Sequence, residues 1–123
     1  MGYRNDINFI LRVENKTLDD WFLELLLQEE KKDLYKRIME LYTSNYKIKD
    51  TPSNILHVFW EQVKWYGEEE SEMDQLISLL EGEGVDACYS RLGDEISDIV
   101  TNYSNEGYEL GYVSRNFVPN YKE

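Results

Sequence analysis

The residue types that most often do chemistry are few in this chain. His57 and Cys88 are its single histidine and single cysteine, and a nucleophile–base pair requires the two side chains within hydrogen-bond reach. Nothing in the sequence brings them together or supplies a third group to orient the base. We therefore interpret them as a strand histidine and a small buried hydrophobic residue. No phosphate loop or dinucleotide fingerprint follows a predicted strand, so we expect no enzymatic activity and no cofactor.

Clustered carboxylates are the second chemical feature. Residues 68–74 contain five acidic side chains, and several carboxylate oxygens together bind hard cations such as Ca²⁺. The run lacks the Asp-x-Asp-x-Asp-Gly spacing that would fix such ligands. Acidic residues also favour the positive end of a helix dipole. We therefore interpret the run as a solvated turn that leads into a helix, and we expect no metal.

The whole net charge of the chain, −12, comes from one third of it. Residues 68–109 contain thirteen acidic residues and one base, Arg91, whereas the other 81 residues contain twelve of each. This asymmetry disfavours contact with nucleic acid or an anionic membrane and favours basic protein surfaces. The bases between Lys31 and Arg37 are interleaved with Glu29, Glu30, Asp33 and Glu40, which is typical of an exposed, salt-bridged surface.

The elements that position these residues begin with a strand and a helical region. Apolar residues alternate from Ile7 to Val13, which predicts a strand with one buried face. An apolar stripe at helical spacing predicts helix over residues 18–42, starting from a capping box at Thr17. One continuous helix and two helices with a bend near Glu30 both fit this stripe. The next apolar run, Ile55–Tyr66, is rich in β-branched and aromatic residues and is interpreted as the central strand.

The second half of the chain predicts a helix followed by strands. A helix runs from Ser71 to Gly82, a turn spans residues 83–86, and short strands follow at 87–92, 95–103 and 108–118. This order predicts one α+β domain over residues 1–123, a two-layer sandwich whose mostly antiparallel sheet carries two helical segments on one face. The expected core residues are Ile7, Phe9, Leu11, Val13, Trp21, Leu25, Val58, Trp60, Leu76 and Leu80. No segment approaches eighteen apolar residues, and we expect a cytoplasmic protein.

Three short motifs together resemble a known family. They are Gly2-Tyr3-Arg4-Asn5-Asp6, Val63-Lys64-Trp65-Tyr66, and Arg91-Leu92-Gly93-Asp94-Glu95 followed by Asp98-Ile99. The set is similar to small bacteriophage and prophage proteins with a Gly-Tyr-Arg-Ser-Asp-like start, a Val-Lys-Trp-Tyr-like strand end and an Arg-Ile-Gly-Glu-like turn. Here Asn5 replaces the usual Ser and Leu92 the usual Ile, and the segment after Tyr66 is more acidic. The resemblance implies a phage setting and the cytoplasm of a host cell, but no site residues.

The leading hypothesis is a phage or mobile-element protein that binds a host protein and inhibits or modulates it. In its narrower form, the carboxylates imitate phosphate charge and occupy the basic channel of a nucleic-acid-processing or defence enzyme. Such binding weakens with salt. The expected contact residues are carboxylates in turns and at a helix start, all expected to be solvated, and the aromatic end of a strand. They are Glu68, Glu69, Glu70, Glu72, Glu83, Asp86, Trp65 and Tyr66.

The alternative is a small oligomerising structural or accessory protein without inhibitory activity. Residues 55–59 are apolar on both faces of their predicted strand, and an uncovered apolar face invites a second subunit. This hypothesis predicts a homodimer. The aromatic end of this strand also has two interpretations. Lys64 and Trp65 fit an exposed surface with a cation–π contact, and they equally fit a buried Trp65 ring along which the apolar stem of Lys64 passes to reach solvent.

Overall fold

In the computed structural model of the protein, a five-stranded antiparallel sheet carries three α-helices on one face. The structure describes residues 5–43, 47–48, 51–64, 67–93, 98–113 and 117–121. The strands of this sheet are β1 (Asn5–Arg12), β2 (Lys47–Ile48), β3 (Ile55–Val63), β4 (Asp86–Leu92) and β5 (Ile99–Ser104). The helices are α1 (Leu18–Leu26), α2 (Lys32–Thr43) and α3 (Gly67–Gly82). The predicted α+β class, with its mostly antiparallel sheet, is confirmed.

β1 is the middle strand of the sheet, whose order is β2-β3-β1-β4-β5. It is antiparallel to both neighbours, so that Phe9 lies opposite Val58 of β3 and Tyr89 of β4. Alternate residues of a strand point to opposite faces, and Phe9 points with Val58 and Tyr89 towards the helices. The alternation of apolar residues that predicted this strand therefore corresponds to one strand face that packs against the helices.

The strand predicted at Ile55–Tyr66 is present, but it is shorter than predicted and does not lie in the middle of the sheet. It is β3, which ends at Val63 and lies between β1 and the two-residue β2. The expectation that it is the central strand is therefore wrong. The pattern was misleading because a strand that is apolar on both faces is typical of the middle of a sheet. Trp65 and Tyr66 lie outside the described residues.

The helical region predicted over residues 18–42 divides into two helices. The side-chain oxygen of Thr17 accepts a hydrogen bond from the backbone N–H of Asp20 at 3.2 Å and caps α1. Gln28 has an extended backbone, which interrupts the helix before a short 3-10 turn at Glu29–Lys31. Of the two alternatives, the bend near residue 30 is confirmed.

The predicted core is confirmed. All ten residues belong to one cluster between helices and sheet, and each is at most 6% exposed. They are Ile7, Phe9, Leu11, Val13, Trp21, Leu25, Val58, Trp60, Leu76 and Leu80. The apolar stripes of α1 and α3 thus pack on the same face of the sheet.

The strand predicted at residues 108–118 is wrong. Gly107–Glu109 is a 3-10 turn, and β6 (Gly111–Val113) pairs with β7 (Phe117–Pro119) in a separate two-stranded sheet. This C-terminal segment covers the sheet face that is opposite the helices. The apolar cluster there consists of Ile10, Ile55, Cys88 and Leu110, with Phe117 and Tyr121 packed against it. The second apolar face of β3 is therefore covered by the same chain.

Gly107 determines how closely the C-terminal segment approaches the sheet. It is buried, and a Cβ at this position would overlap the backbone carbonyl oxygen of Ala87 on β4. Any side chain would push the turn away from β4, so the close approach requires glycine.

Candidate partner-binding surface

Six carboxylates and no basic side chain lie on α3. Three of them, Glu68, Glu69 and Glu70, occupy the first turn. A carboxylate at this end of a helix interacts favourably with the helix dipole and stabilises the helix by about 0.3–1 kcal/mol. The helix consequently begins at Gly67, before the predicted start at Ser71. The expectation of a turn before the helix is therefore wrong, because the acidic run is itself helical, whereas Glu68 and Glu72 are exposed as expected. The predicted helix end at Gly82 is confirmed.

Glu70 is bound to a cation of the chain itself. Its Oε1 accepts a hydrogen bond from Nε of Arg91 at 3.0 Å, and Arg91 also pairs with Asp98 at 3.0 Å. Burial lowers the pKa of the Arg91 guanidinium, but the hydrogen bonds and charges of the two carboxylates outweigh burial and raise the pKa overall. The ion pair of Glu70 with Arg91 therefore links α3 to β4, and Glu70 is less available to a partner than an unpaired carboxylate would be.

Glu83 is also engaged within the chain. Its Oε1 lies 2.7 Å from Nζ of Lys31, so it joins the turn after α3 to the 3-10 turn before α2. This hydrogen bond raises the pKa of Lys31. The expectation of a fully solvated Glu83 is therefore wrong, since the carboxylate is partly buried and ion-paired.

The expectation that Asp86 is a solvated turn residue is also wrong. Asp86 is the first residue of β4, and its side chain is 7% exposed. Its Oδ2 accepts hydrogen bonds from Nε and Nη2 of Arg12 at 3.1 and 2.7 Å, and its Oδ1 accepts one from the backbone N–H of Glu106 at 3.1 Å. Arg12 also pairs with Glu109 at 3.2 Å. Asp86 thus ties β1, β4 and the turn after β5 together and is not a surface contact.

Four exposed carboxylates of α3 remain on the surface, and we call them the outer carboxylates. They are Glu68, Glu72, Asp74 and Glu81. Asp74 accepts a hydrogen bond from Asn102 of β5 at 2.9 Å, and in the described parts of the chain no lysine or arginine pairs with any of the four. From Glu68 to Glu81 the helix rises about 20 Å. At 3.6 residues per turn, Glu68 and Glu72 lie on one side of the buried face of α3 and Asp74 and Glu81 on the other, so the outer carboxylates form two pairs.

A groove of about 750 Å³ lies between α2 and α3, beside Trp60 of β3. Both signs of charge line it, because Lys36 and Arg37 of α2 and Glu68 and Glu72 of α3 all contribute to its wall. Asp74 and Glu81 do not line this groove. Asp74 instead contacts Asn102 of β5.

His57 and Cys88 do not form a catalytic pair. Ile10 of β1 is the register partner of both, so the two residues lie two strands apart, a distance of about 10 Å. Burial raises the pKa of the Cys88 thiol to about 12, which keeps it protonated and unreactive at neutral pH. The ring nitrogens of His57 are hydrogen-bonded to the hydroxyl of Tyr121 at 2.6 Å and to Oδ1 of Asn8 at 2.7 Å. Both residues are therefore structural.

One group of carboxylates resembles a metal site in the described residues, and the sequence did not indicate it. Oxygens of Glu14, Asp86 and Glu106 lie within 4.8 Å of one another, although the residues are far apart in the chain. The guanidinium of Arg12 already provides positive charge to Asp86. The group is therefore explained as part of an ion-pair network. The acidic run at 68–74 does not bring three such ligands together.

Comparisons with protein-family models, with curated proteins and with solved structures find no match to this chain. The resemblance to phage and prophage proteins therefore stays a prediction from short motifs. Trp65 and Tyr66 stay predicted contact residues, since they lie outside the described part of the chain. None of the helices in that part is both long and apolar enough to cross a membrane.

Proposed function

We propose that this protein binds a basic surface of a host protein through the outer carboxylates of α3 and thereby inhibits or modulates that protein. The observation that carries the proposal is the separation of two sets of carboxylates. Glu70, Glu83 and Asp86 are neutralised by Arg91, Lys31 and Arg12, whereas no lysine or arginine among the described residues forms an ion pair with an outer carboxylate. A partner with lysines and arginines supplies what the chain itself does not.

The anchoring of α3 favours this use. One face of the helix is held in the core by four buried side chains, Met73, Leu76, Ile77 and Leu80. The outer carboxylates are therefore presented on a rigid element, and binding loses little conformational entropy in ordering them. Two rigidly held pairs of carboxylates, one on each side of the helix, offer negative charge to a channel that normally binds phosphates. The partner class that follows is a nucleic-acid-processing or defence enzyme of the host cytoplasm, in the phage setting that the motifs imply.

The alternative of an oligomerising accessory protein has lost its main support. It depended on an uncovered apolar face at residues 55–59, and Phe117 and Tyr121 lie against the histidine of that face at ring distances of 6.1 and 5.7 Å. The proposed function is therefore the one that the described surface favours.

The test is affinity capture from a host lysate with two matched variants. The first neutralises the outer carboxylates (Glu68→Gln, Glu72→Gln, Asp74→Asn and Glu81→Gln together). The control neutralises four exposed carboxylates elsewhere (Glu14→Gln, Asp19→Asn, Asp20→Asn and Glu30→Gln together). Both change the net charge from −12 to −8. Exposed charges of this kind change stability by less than about 1 kcal/mol each, so both variants should fold.

The proposal predicts that the wild type and the control capture the same basic protein, that moderate salt elutes it, and that the outer-carboxylate variant fails to capture it. Equal capture by both variants would show that the outer carboxylates are not the binding surface.

A further inference from the structure

β5 is an edge strand of the five-stranded sheet in the described part of the chain. Within the described residues it pairs with β4 and with no other strand. In an antiparallel pair, alternate residues direct their backbone N–H and C=O groups away from the neighbouring strand. Such an edge is a template for pairing with an extended segment of another chain.

The sequence of β5 lacks the protective residues that edge strands commonly have. Proteins block their edges with charged side chains, with proline or with very short strands. β5 has six residues, Ile-Val-Thr-Asn-Tyr-Ser, none of them charged and none proline or glycine. It lies in the most acidic third of the sequence, so the absence of charge on the strand itself distinguishes it from its surroundings.

The two faces beside the β5 edge differ in chemistry. On the helix side, Asp74 contacts Asn102, and Glu81 follows about two turns later on the same side of α3. On the other side, Ile99 and Tyr103 are 40% and 36% exposed. A strand added at this edge would place alternate side chains next to carboxylates on one face and next to apolar groups on the other.

We infer that the β5 edge binds an extended segment of the basic partner, in which basic and apolar residues alternate. The inference rests on the proposed function and names the surface that performs it. Backbone hydrogen bonds to β5 provide affinity, and the alternating side chains provide specificity. A second copy of this chain does not fit, because pairing β5 with itself would bring the carboxylates at Asp74 and Glu81 of two chains, each of net charge −12, to one edge.

The probe for this inference is a fluorescein-labelled hexapeptide of alternating lysine and valine, which matches the length of β5. The control peptide has the same sequence with a methyl group on every backbone nitrogen after the first. It keeps the charge but donates no strand hydrogen bonds. Fluorescence anisotropy gives both affinities at 100 mM salt, and hydrogen exchange reports protection of the β5 amides. The inference predicts that the unmethylated peptide binds about tenfold tighter or more, as two or three backbone hydrogen bonds provide, and protects β5.

Two variants of the full chain test the charges beside the edge. Asp74→Asn with Glu81→Gln should weaken binding of the unmethylated peptide about fivefold, whereas Asp19→Asn with Asp20→Asn, an equal change of charge at exposed residues of α1, should weaken it less than about twofold.

Three results would overturn the inference. Equal binding of the two peptides would show that charge acts without strand pairing, and the lysate capture would then still decide the proposed function. Absence of peptide binding would remove β5 as the docking edge. A dimer in analytical ultracentrifugation that protects the β5 amides without peptide would show that a second copy occupies the edge.

Discussion

Asp86→Asn should separate the structural carboxylates from the functional ones. The substitution keeps the shape of the side chain but removes the charge opposite Arg12, which donates two hydrogen bonds to Oδ2 at 3.1 and 2.7 Å. Breaking a buried ion pair costs about 3–5 kcal/mol, and hydrogen bonds to charged groups contribute about 1.5–3 kcal/mol each. Arg12 is 22% exposed and keeps its contact with Glu109. We therefore expect the free energy of unfolding to fall by about 2–3 kcal/mol, which is less than for a fully buried ion pair.

Urea unfolding followed by tryptophan fluorescence measures this loss. With m-values of about 1–3 kcal/mol/M, the midpoint should fall by about 0.7–3 M at unchanged m. Glu109→Gln is the matched control, because it removes the other carboxylate of Arg12 at a side chain that is 46% exposed. An exposed pair contributes about 0–1 kcal/mol. If Asp86→Asn were as mild as Glu109→Gln, the assignment of Asp86 to the structural network would be refuted. Capture of the partner should be unchanged in both variants.

Three further predictions concern the packing that holds this surface. Phe9→Ala should lower the free energy of unfolding by about 3–5 kcal/mol, measured by urea unfolding, because Phe9 is fully buried at the middle of the sheet; a loss below 1 kcal/mol would contradict the assigned core. Tyr121→Phe should cost about 1–3 kcal/mol by leaving a buried nitrogen of His57 without its hydroxyl partner, and a neutral result would count against the covered second face. Burial raises the pKa of Cys88 from 9.0 to about 12, so the stability it contributes is complete below pH 9 and is lost as the pH rises from 9 towards 12. At pH 8 the thiol should react with a disulfide reagent no faster than the chain unfolds, and immediate labelling of the folded protein would show an accessible thiol.

Local periodicity predicted a large part of the fold. The alternation of apolar residues around Phe9 and the apolar stripes through Trp21 and Leu76 each indicate an element with one buried face. They do so because side chains recur on one face every two residues in a strand and about every 3.6 residues in a helix. The interruption near Glu30 was one of two options, and the extended backbone at Gln28 decided between them.

The errors of prediction concern contacts between distant residues. The apolar second face of β3 suggested a central strand or a subunit interface, because the sequence does not show that the C-terminal segment folds over it. In the same way, Asp86 looks like one acid among many until Arg12, 74 residues away, is placed beside it. Glu70 and Glu83 depend on Arg91 and Lys31 in the same manner. Composition thus predicted an acidic surface, but only the fold separates its free charges from its paired ones.

The central claim is that the outer carboxylates bind a basic partner, and the salt dependence of that binding tests it most directly. The dissociation constant of the captured host protein would be measured from 50 to 300 mM salt for the wild type, the outer-carboxylate variant and the control variant. The claim predicts that the wild type and the control show the same steep loss of affinity with salt, and that the outer-carboxylate variant binds at least about tenfold more weakly at 50 mM salt with a flatter slope. Equal affinities and equal slopes for all three proteins would contradict it.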